Sequence, residues 1–387
     1  MRIAIEASTW INPRGFGRFT RELTRALLRS RTPHTFTLVV DSGAAAASDL
    51  PDAPVVTVPT GRAVAEAASA DSSRSILDVL RVARRLSSGF DAVLFPTSFS
   101  FVPVAPGPLV AVVIHDAMPE TMPELVGPSV TARALWNLKS RLVRWRADLI
   151  ATVSNASADA ISRTLHVARE RIAVLTEGAS PEFSPDPGPD DETLVRSAVR
   201  GDAPYILYVG GLSPHKRVPE LIRAFGRVAT DSHYSRVRLV LVGPGEQDTF
   251  VADRGGVGAA LSAIGPAADR VVQTGYVDDR TLAALYRRAS VAVLPSKMEG
   301  FGLPALEAMA SGTPLIVARN PALEEVCGDA AEYVGDVCEL SGALQQLLAD
   351  SGRRRRLRRA GLERATHFGW DQAASRLLQA LDRPPSR

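Results

Sequence analysis

Residues 291–318 read VAVLPSKMEGFGLPALEAMASGTPLIVA, and this stretch decides the fold. Val291–Leu294 is apolar at successive positions rather than alternate ones, as expected of a strand covered on both faces. A glycine-bearing loop follows, and Pro304 suits the first turn of a helix, where its missing N–H costs nothing. Pro314–Ala318 is a second apolar run. Strand, loop, helix and strand in that order imply a right-handed crossover between parallel strands. The loop also carries chemistry. Glu299 stands after the strand, and Glu307, eight residues on, is expected in the first helical turn. Between them Gly300, Phe301 and Gly302 offer backbone amides, which with the positive end of the helix dipole make an anion site. Two flanking carboxylates can accept hydrogen bonds from vicinal diols such as those of a ribose and a hexose. The purely structural account is a first-turn glutamate stabilising its own helix by roughly 0.3–1 kcal/mol, which leaves the rest of the constellation unexplained.

The same pattern extends outward in both directions. Apolar runs begin at Arg2, Phe36, Asp91, Leu109 and Asp148, and a second series begins at Tyr205, Val237, Arg270, Val291 and Pro314, with amphipathic stretches between. Between the two series lies PEFSPDPGPDDE, Pro181 to Glu192, whose four prolines and five acidic residues resist helix and strand. The expected organisation is therefore two doubly wound α/β domains. They are 1–185, a linker 186–200, and 201–369, followed by a C-terminal helix 370–387 that could cross back to the first domain. Ligands in such sheets sit beyond the carboxyl ends of the strands, so two such domains facing each other would form a cleft. Ala44–Ala47 and Thr60–Ser75 read as surface loops or a loose helix.

A chain of 387 residues can bury two cores of this kind. Its 45 basic and 42 acidic side chains, net +3, exclude a dedicated nucleic-acid binder. Two cysteines, Cys327 and Cys338, are too few for a disulfide framework or a structural zinc site and suggest a reducing compartment. Glu6 in MRIAIEAS interrupts any secretory signal core. Ala92–Ile114 is uncharged and long enough to span a bilayer, but Pro96, Pro103, Pro106 and Pro108 would break such a helix repeatedly. Two short buried strands joined by a proline-rich loop are expected there, in a soluble protein.

Other candidate residues lie at strand ends. Gly15 and Gly17 in GFGRFT follow a strand and open a helix, and Asp41 ends the next strand. That resembles a dinucleotide fingerprint, although Thr20 occupies the third glycine position; a flexible loop opening a helix is the plainer account. Arg18, Arg21, Arg25 and Arg29 share one helix face, and Arg133–Arg146 adds five basic residues around Trp136 and Trp145. Either stripe could meet anionic headgroups or a lipid diphosphate, or simply face water. The arginines of 353–359 read as an exposed helix. His115 and Asp116 end the run from Leu109, placed either to meet a ligand or to satisfy the core. Gly210 and Gly211 end another strand, and Lys216 follows before a helix. Lys216 and Lys297 are two of only three lysines, and both fall in strand-end loops. A lysine beside a glycine turn can neutralise a diphosphate as a compact point charge. GPGE at Gly243 lacks the lysine and hydroxyl of a P-loop, which disfavours ATP hydrolysis.

Taken in order, GFGR near the start, IHD at 114–116, TVSNAS at 152–157, YVGGLSPHK at 208–216, TGYVDD at 274–279 and EGFGLPALE at 299–307 resemble the retaining glycosyltransferases of the GT-B fold, family four, over nearly the whole chain. The last piece is the E-x7-E signature. The resemblance implies two Rossmann-like domains facing across a cleft and a nucleotide-diphosphate sugar held mainly by the second. By it, Glu307 would hold the ribose hydroxyls, Glu299 the hydroxyls of the transferred sugar, and Lys216 the diphosphate. The Gly300–Leu303 amides would contact phosphate and sugar, and the Tyr276–Val277 backbone would read the base. His115, with Asp116 beside it, would approach the sugar from the N-terminal side, and the Gly15–Gly17 loop would lie near acceptor and phosphates.

One position departs from the family. Glycine at 211 stands where the family usually has arginine, which leaves Lys216 alone or passes the role to Arg217 or Arg18. Bacterial surface-polysaccharide mannosyltransferases look like this variant, including those of lipopolysaccharide synthesis. The expected donor is therefore GDP-mannose and the acceptor a glycan or lipid-linked sugar, for a cytoplasmic protein that could sit peripherally at the inner face of the plasma membrane. No Asp-x-Asp pair occurs, so the sequence requires neither a metal nor another cofactor. By the same resemblance, retention without an evident carboxylate nucleophile implies same-face attack through a short-lived ion pair, as proposed for the family. The competing readings are a nicotinamide-dependent or sugar-nucleotide-modifying enzyme such as an epimerase, and a non-catalytic membrane-binding module.

Overall fold

The computed structural model describes residues 1–61, 63, 75–122, 130–243 and 254–384. The chain divides into two compact units, Met1–Glu177 together with the chain from Gly369 onward, and Gly178–Phe368. The first holds a seven-stranded sheet in the order β3-β2-β1-β4-β5-β6-β7. Its strands are β1 Arg2–Glu6, β2 Thr35–Asp41, β3 Val55–Val58, β4 Ala92–Phe95, β5 Leu109–Val113, β6 Leu149–Thr152 and β7 Ile172–Val174. The second holds six strands in the order β10-β9-β8-β11-β12-β13. These are β8 Tyr205–Val209, β9 Arg238–Val242, β10 Val271–Gly275, β11 Val291–Leu294, β12 Leu315–Ala318 and β13 Glu332–Val334. Every strand pair in both sheets is parallel. This is the doubly wound α/β architecture expected twice over. The chain reverses its direction of travel between β1 and β4 in one sheet and between β8 and β11 in the other.

The uncharged stretch from Ala92 becomes β4 and β5, each central and almost wholly buried. Among the described residues no helix is long and apolar enough to cross a membrane. Most of Thr60–Ser75 lies outside the described residues, while Ser42–Ala45 forms a single helical turn capped by Asp41.

Three expectations need correction. The proline-rich stretch is not a free linker. Asp191–Val199 is a helix, and Arg287 grips Asp191 through Nε and Nη2, both at 2.7 Å, with both side chains 9% exposed. Arg287 also donates to the Glu182 and Ser184 carbonyls, and buried Phe183 meets the Tyr286 ring edge-on at 5.9 Å. The segment therefore packs on the second unit, and the boundary falls at Glu177–Gly178, ahead of the expected 185.

The arginine-rich helix Ser351–Ala365 is not merely exposed. Arg354 donates to the Leu347 and Leu348 carbonyls, Arg358 to Gly312 (2.9 Å), and Arg364 to Val326 (2.9 Å) and Glu325 (2.6 Å). These carbonyls belong to the ends of helices Val337–Ala349, Leu303–Ala310 and Pro321–Cys327, where a cation also complements the dipole.

The N-terminal helix begins at Gly15, and its arginine stripe is largely engaged within its own unit. Arg21 donates to the Trp10 and Asn12 carbonyls, Arg25 pairs with Glu22 and Asp49, and Arg29 pairs with Asp371 at 3.0 Å. Asp371 belongs to the helix Trp370–Asp382, which returns to the first unit with Trp370 stacked edge-on against Phe19 at 5.5 Å.

Candidate active site

The switch point between β8 and β11 is where an open parallel sheet binds ligands, because the loops leaving adjacent strands part there. Those two loops carry the residues singled out in the second half of the sequence. After β8 the chain passes Gly210 and Gly211, makes a 3-10 turn Pro214–Lys216, and enters the helix Val218–Ala229. After β11 it passes Pro295–Gly302 and enters the helix Leu303–Ala310. A backbone bond from Lys297 N–H to the His215 carbonyl, 2.8 Å, joins the loops.

That joint sets the central contact. Lys216 Nζ donates to both Glu299 oxygens, at 2.7 and 2.8 Å. Burial works against the ionised Glu299 carboxyl, but the Lys216 cation and bonds from Lys216 and Ser296 outweigh it, holding the group below the usual carboxylate range. Beside them burial, with the Lys216 charge, pushes His215 down to about 4, so the imidazole is neutral near pH 7. Its buried Nδ1 has no hydrogen-bond partner among the described residues. Ser296 is in turn fixed through its carbonyl by Asn320 Nδ2 at 2.9 Å, and Asn320 caps the helix Pro321–Cys327.

Glycines shape the floor. Gly210 has φ +152°, and a Cβ there would lie 2.8 Å from the Tyr208 hydroxyl, which donates to the Gly211 carbonyl at 2.5 Å. A Cβ at Gly243 would lie 2.0 Å from the Gly210 carbonyl oxygen, and Gly243 N–H bonds the Gly275 carbonyl at 3.2 Å. The ends of β8, β9 and β10 are thus in direct contact, with Tyr276 exposed and Val277 half-buried just beyond Gly275. Gly302 takes φ +99° as the residue before the helix, with Leu323 only 2.5 Å from a Cβ built there. Phe301 is buried edge-on to Phe368 at 5.7 Å, which anchors the amide-bearing loop, and Leu303 is buried at the first helical position.

Glu307 differs from expectation. It sits in the second turn of its helix, buried, with the Tyr286 hydroxyl 3.4 Å from Oε2. A dipole contribution from a first-turn acid therefore does not explain it, since the effect fades within the first turn. Arg217 is also turned elsewhere: it pairs with Glu220 and reaches the Gly335 carbonyl at 3.4 Å. Ser296, Asn320, His215 and Tyr286 were not singled out from the sequence. Ser296 and His215 had a signal, the first three residues before Glu299 in PSKMEG and the second beside Lys216 in SPHK.

The first unit places its own set of residues. Gly17 is forced, because a Cβ there would lie 1.9 Å from the Asn12 carbonyl oxygen, whereas nothing lies within 4 Å of one at Gly15. Thr20 binds the Thr9 hydroxyl (2.8 Å), and the Asp41 carboxylate is buried and caps Ser42–Ala45. Thr20 and Asp41 thus have structural work where a dinucleotide fingerprint would need a third glycine and a ribose-binding acid. His115, its side chain 10% exposed, lies edge-on to Phe16 and Phe19, donates from Nε2 to the Pro96 carbonyl (3.0 Å), and has Nδ1 3.8 Å from Glu177. Asp116 accepts from Met118 N–H at 2.8 Å, and Arg18 is half-buried.

Two parallel sheets of this order, the second with a cation–carboxylate pair and a glycine-bearing helix start at its switch point, define a protein of two Rossmann-like halves. The chain belongs to the glycosyltransferases of the GT-B type: residues 13–183 match Glycosyltransferase Family 4 and residues 190–364 match Glycosyl transferases group 1. It is 30% identical to the O-antigen chain mannosyltransferase B of Escherichia coli over 60% of each chain. It is 31% identical to the MMP alpha-(1->4)-mannosyltransferase of Mycolicibacterium hassiacum, over 72% of this chain and 66% of that one. The matched stretch thus spans about three fifths to two thirds of these relatives' length. Anabaena HepE, solved with UDP-glucose, superposes with a TM-score of 0.74 at 18% identity over 99% of both chains, a likeness of fold.

Proposed function

We propose that this protein is a retaining, metal-independent glycosyltransferase. It would move a hexose from a nucleotide-diphosphate sugar to a glycan or lipid-linked acceptor in surface-polysaccharide synthesis, at the cytoplasmic face of the membrane. The observation that carries the reading is Lys216 bonded to both oxygens of Glu299 beside the amides of Gly300–Leu303. An ammonium has three donors, and Glu299 takes two of them, so the third can meet a phosphate while the carboxylate accepts from sugar hydroxyls. As the sugar–phosphate bond breaks, charge grows on the departing diphosphate, and preorganised donors stabilise it without reorganising. The acceptor hydroxyl attacks the anomeric carbon from the face the diphosphate leaves, and its proton passes to the departing phosphate oxygen. Lys297, exposed and adjacent to His215, would supply the second cation that Gly211 lacks.

The mannosyltransferases among its relatives favour mannose and hence GDP-mannose, and HepE with UDP-glucose makes UDP-glucose the first competitor. The test is a thermal-shift panel of GDP, UDP, ADP and their hexose conjugates. The anomeric configuration of the product is then read by NMR with and without excess EDTA. One nucleotide family should raise the melting temperature by mass action, and EDTA should leave the rate unchanged. Stabilisation by NAD(H) alone, an inverted product, or a rate restored only by Mg²⁺ or Mn²⁺ would overturn the reading.

A further inference from the structure

The large apolar side chains that remain exposed are concentrated on two helices of the first unit. Of ten such residues among those described, Ile76, Leu77 and Leu80 lie on the helix Ile76–Leu86, and Val130, Leu135, Leu138 and Trp145 lie on Val130–Arg146. Trp145 is 74% exposed and Ile76 77%. Scattered single exposures are ordinary, but seven of ten on two helices of one unit call for an account.

The arrangement on each helix is inverted relative to a solvated surface. Along Val130–Arg146 the core side is set by buried Val143 and by Arg146, which donates to the Val104 and Pro108 carbonyls, both at 2.8 Å. Opposite them, at helical spacing, stand Ala134, Leu138, Arg141 and Trp145, all exposed, with Arg133 at the margin. The helix has no acidic residue. Lys139 and Arg144 are engaged by the Phe99 and Leu165 carbonyls, so the outward charge comes from Arg133 and Arg141. On Ile76–Leu86 the sole acid, Asp78, is buried and paired with Arg81, and Arg84 faces outward.

Both helices insert into one core. Val82 and Leu86 of the first and Val143 of the second join the same cluster with Val93, Val110 and Val112 of β4 and β5. They therefore cover the same face of the sheet, and their outward sides point the same way.

We propose that the outward faces of Ile76–Leu86 and Val130–Arg146 form a docking surface for an anionic lipid bilayer. Apolar side chains would enter the headgroup–acyl boundary while Arg84, Arg133 and Arg141 meet lipid phosphates, the pattern of a helix lying in the interface plane. Charge argues against a second copy of this chain as the occupant, since a two-fold contact would set these basic faces against each other. The surface is independent of the donor site and stands whether or not the transfer reading does. It also relocates the membrane contact away from Gly15–Arg29, where Arg21, Arg25 and Arg29 are occupied within the unit.

The experiment is co-sedimentation of the full chain with neutral phosphatidylcholine vesicles and with vesicles containing phosphatidylglycerol. Binding should be at least about tenfold tighter to the anionic vesicles and should fall roughly fivefold for each of Arg133→Ala and Arg141→Ala, the scale of one basic residue near a charged surface. Leu138→Ser and Trp145→Ser should weaken binding with an unchanged melting temperature, and Trp145→Phe should keep it. Trp10 and Trp370 are buried and Trp136 is held by Glu120, so a fluorescence blue-shift on adding vesicles should disappear with Trp145. Equal affinity for both vesicles, binding indifferent to the Ser variants, or concentration-dependent dimerisation abolished by Trp145→Ser would overturn the proposal.

Discussion

Lys216 Nζ sits 2.7 and 2.8 Å from the two oxygens of Glu299, so the residue expected to meet phosphate and the one expected to meet sugar hold each other. Truncating either changes both. Lys216→Ala strips the Glu299 carboxylate of its main counter-charge and, on the proposed function, would also remove a donor at the departing diphosphate. Turnover should fall roughly a hundred- to thousandfold, the cost of losing one preorganised donor, about 2.7–4 kcal/mol. The carboxyl, now held below its usual range chiefly by Lys216, should titrate at higher pH, moving the acid limb of the rate profile upward. Lys216→Arg should recover only part, because a planar fork replaces a point charge. A rate within a few-fold of wild type with an unmoved acid limb would remove Lys216 from the chemistry.

Arg217 and Lys297 make opposite predictions. Arg217 is committed to Glu220 and the Gly335 carbonyl, so Arg217→Ala should leave the affinity for the nucleotide sugar within about twofold, the small effect of a half-buried surface pair turned elsewhere. Lys297→Ala should weaken it roughly fivefold, the scale of ~1 kcal/mol for one exposed charge contact. Isothermal titration with the preferred nucleotide sugar separates them. A larger loss from Arg217→Ala would return the second cation to that residue.

Much of this was legible because it is local. Runs such as Tyr205–Val209 and Val291–Leu294 are apolar at successive positions because both faces of their strands are covered, and that needs no knowledge of the partner. The loop 299–307 was equally readable, since its glycines, proline and glutamates act within one strand–helix turn. What escaped was long-range. Tyr286 over Glu307, Asn320 under Ser296 and Arg287 around Asp191 join residues 21 to 96 positions apart, and no periodicity marks them. Charge misled for the same reason. The arginines of 353–359 and of the first helix read as solvated or membrane-facing, yet many find carbonyls and carboxylates contributed by distant sequence. His115 was identified as a polar strand-end residue, but sequence could not show that Pro96 and Glu177 flank its two ring nitrogens.

Asp191 and Arg287 form the two-pronged, nearly buried pair that fixes the proline-rich stretch to the second unit. Asp191→Asn leaves a buried guanidinium without its counter-charge and should destabilise this unit by about 3–5 kcal/mol near neutral pH. The hydrogen bonds from Arg287 hold the Asp191 carboxyl below its ordinary value, even against burial. A depressed carboxyl contributes its full stabilisation above the unfolded value and loses it as pH falls through the folded one. The gap between wild type and Asp191→Asn in urea unfolding should therefore stay constant from pH 7 to 5 and narrow below about 3.9. A gap that widens in acid would show that the pair does not act through this charge.

The two glycines of GFGR separate a packing role from a ligand-facing one. At Gly17 a Cβ would lie 1.9 Å from the Asn12 carbonyl oxygen and 3.0 Å from that of Thr9, so the backbone must shift to admit alanine. Forcing atoms into a packed site typically costs about 1–3 kcal/mol. For a unit of this size each kcal/mol moves the melting temperature by roughly 2–4 °C, so Gly17→Ala should lower it by at least about 2 °C. At Gly15 nothing lies within 4 Å of a Cβ, and the position is the first of the helix. Alanine is the better helix former, so Gly15→Ala should leave stability unchanged or slightly raised. Any loss of transfer activity in Gly15→Ala must then come from the loop's approach to a ligand rather than from folding, and a normal rate would restrict GFGR to packing. Calorimetry and initial rates on the two variants decide it. A Gly17→Ala protein that melts with the wild type but does not transfer would show that Gly17, too, is kept open for a ligand.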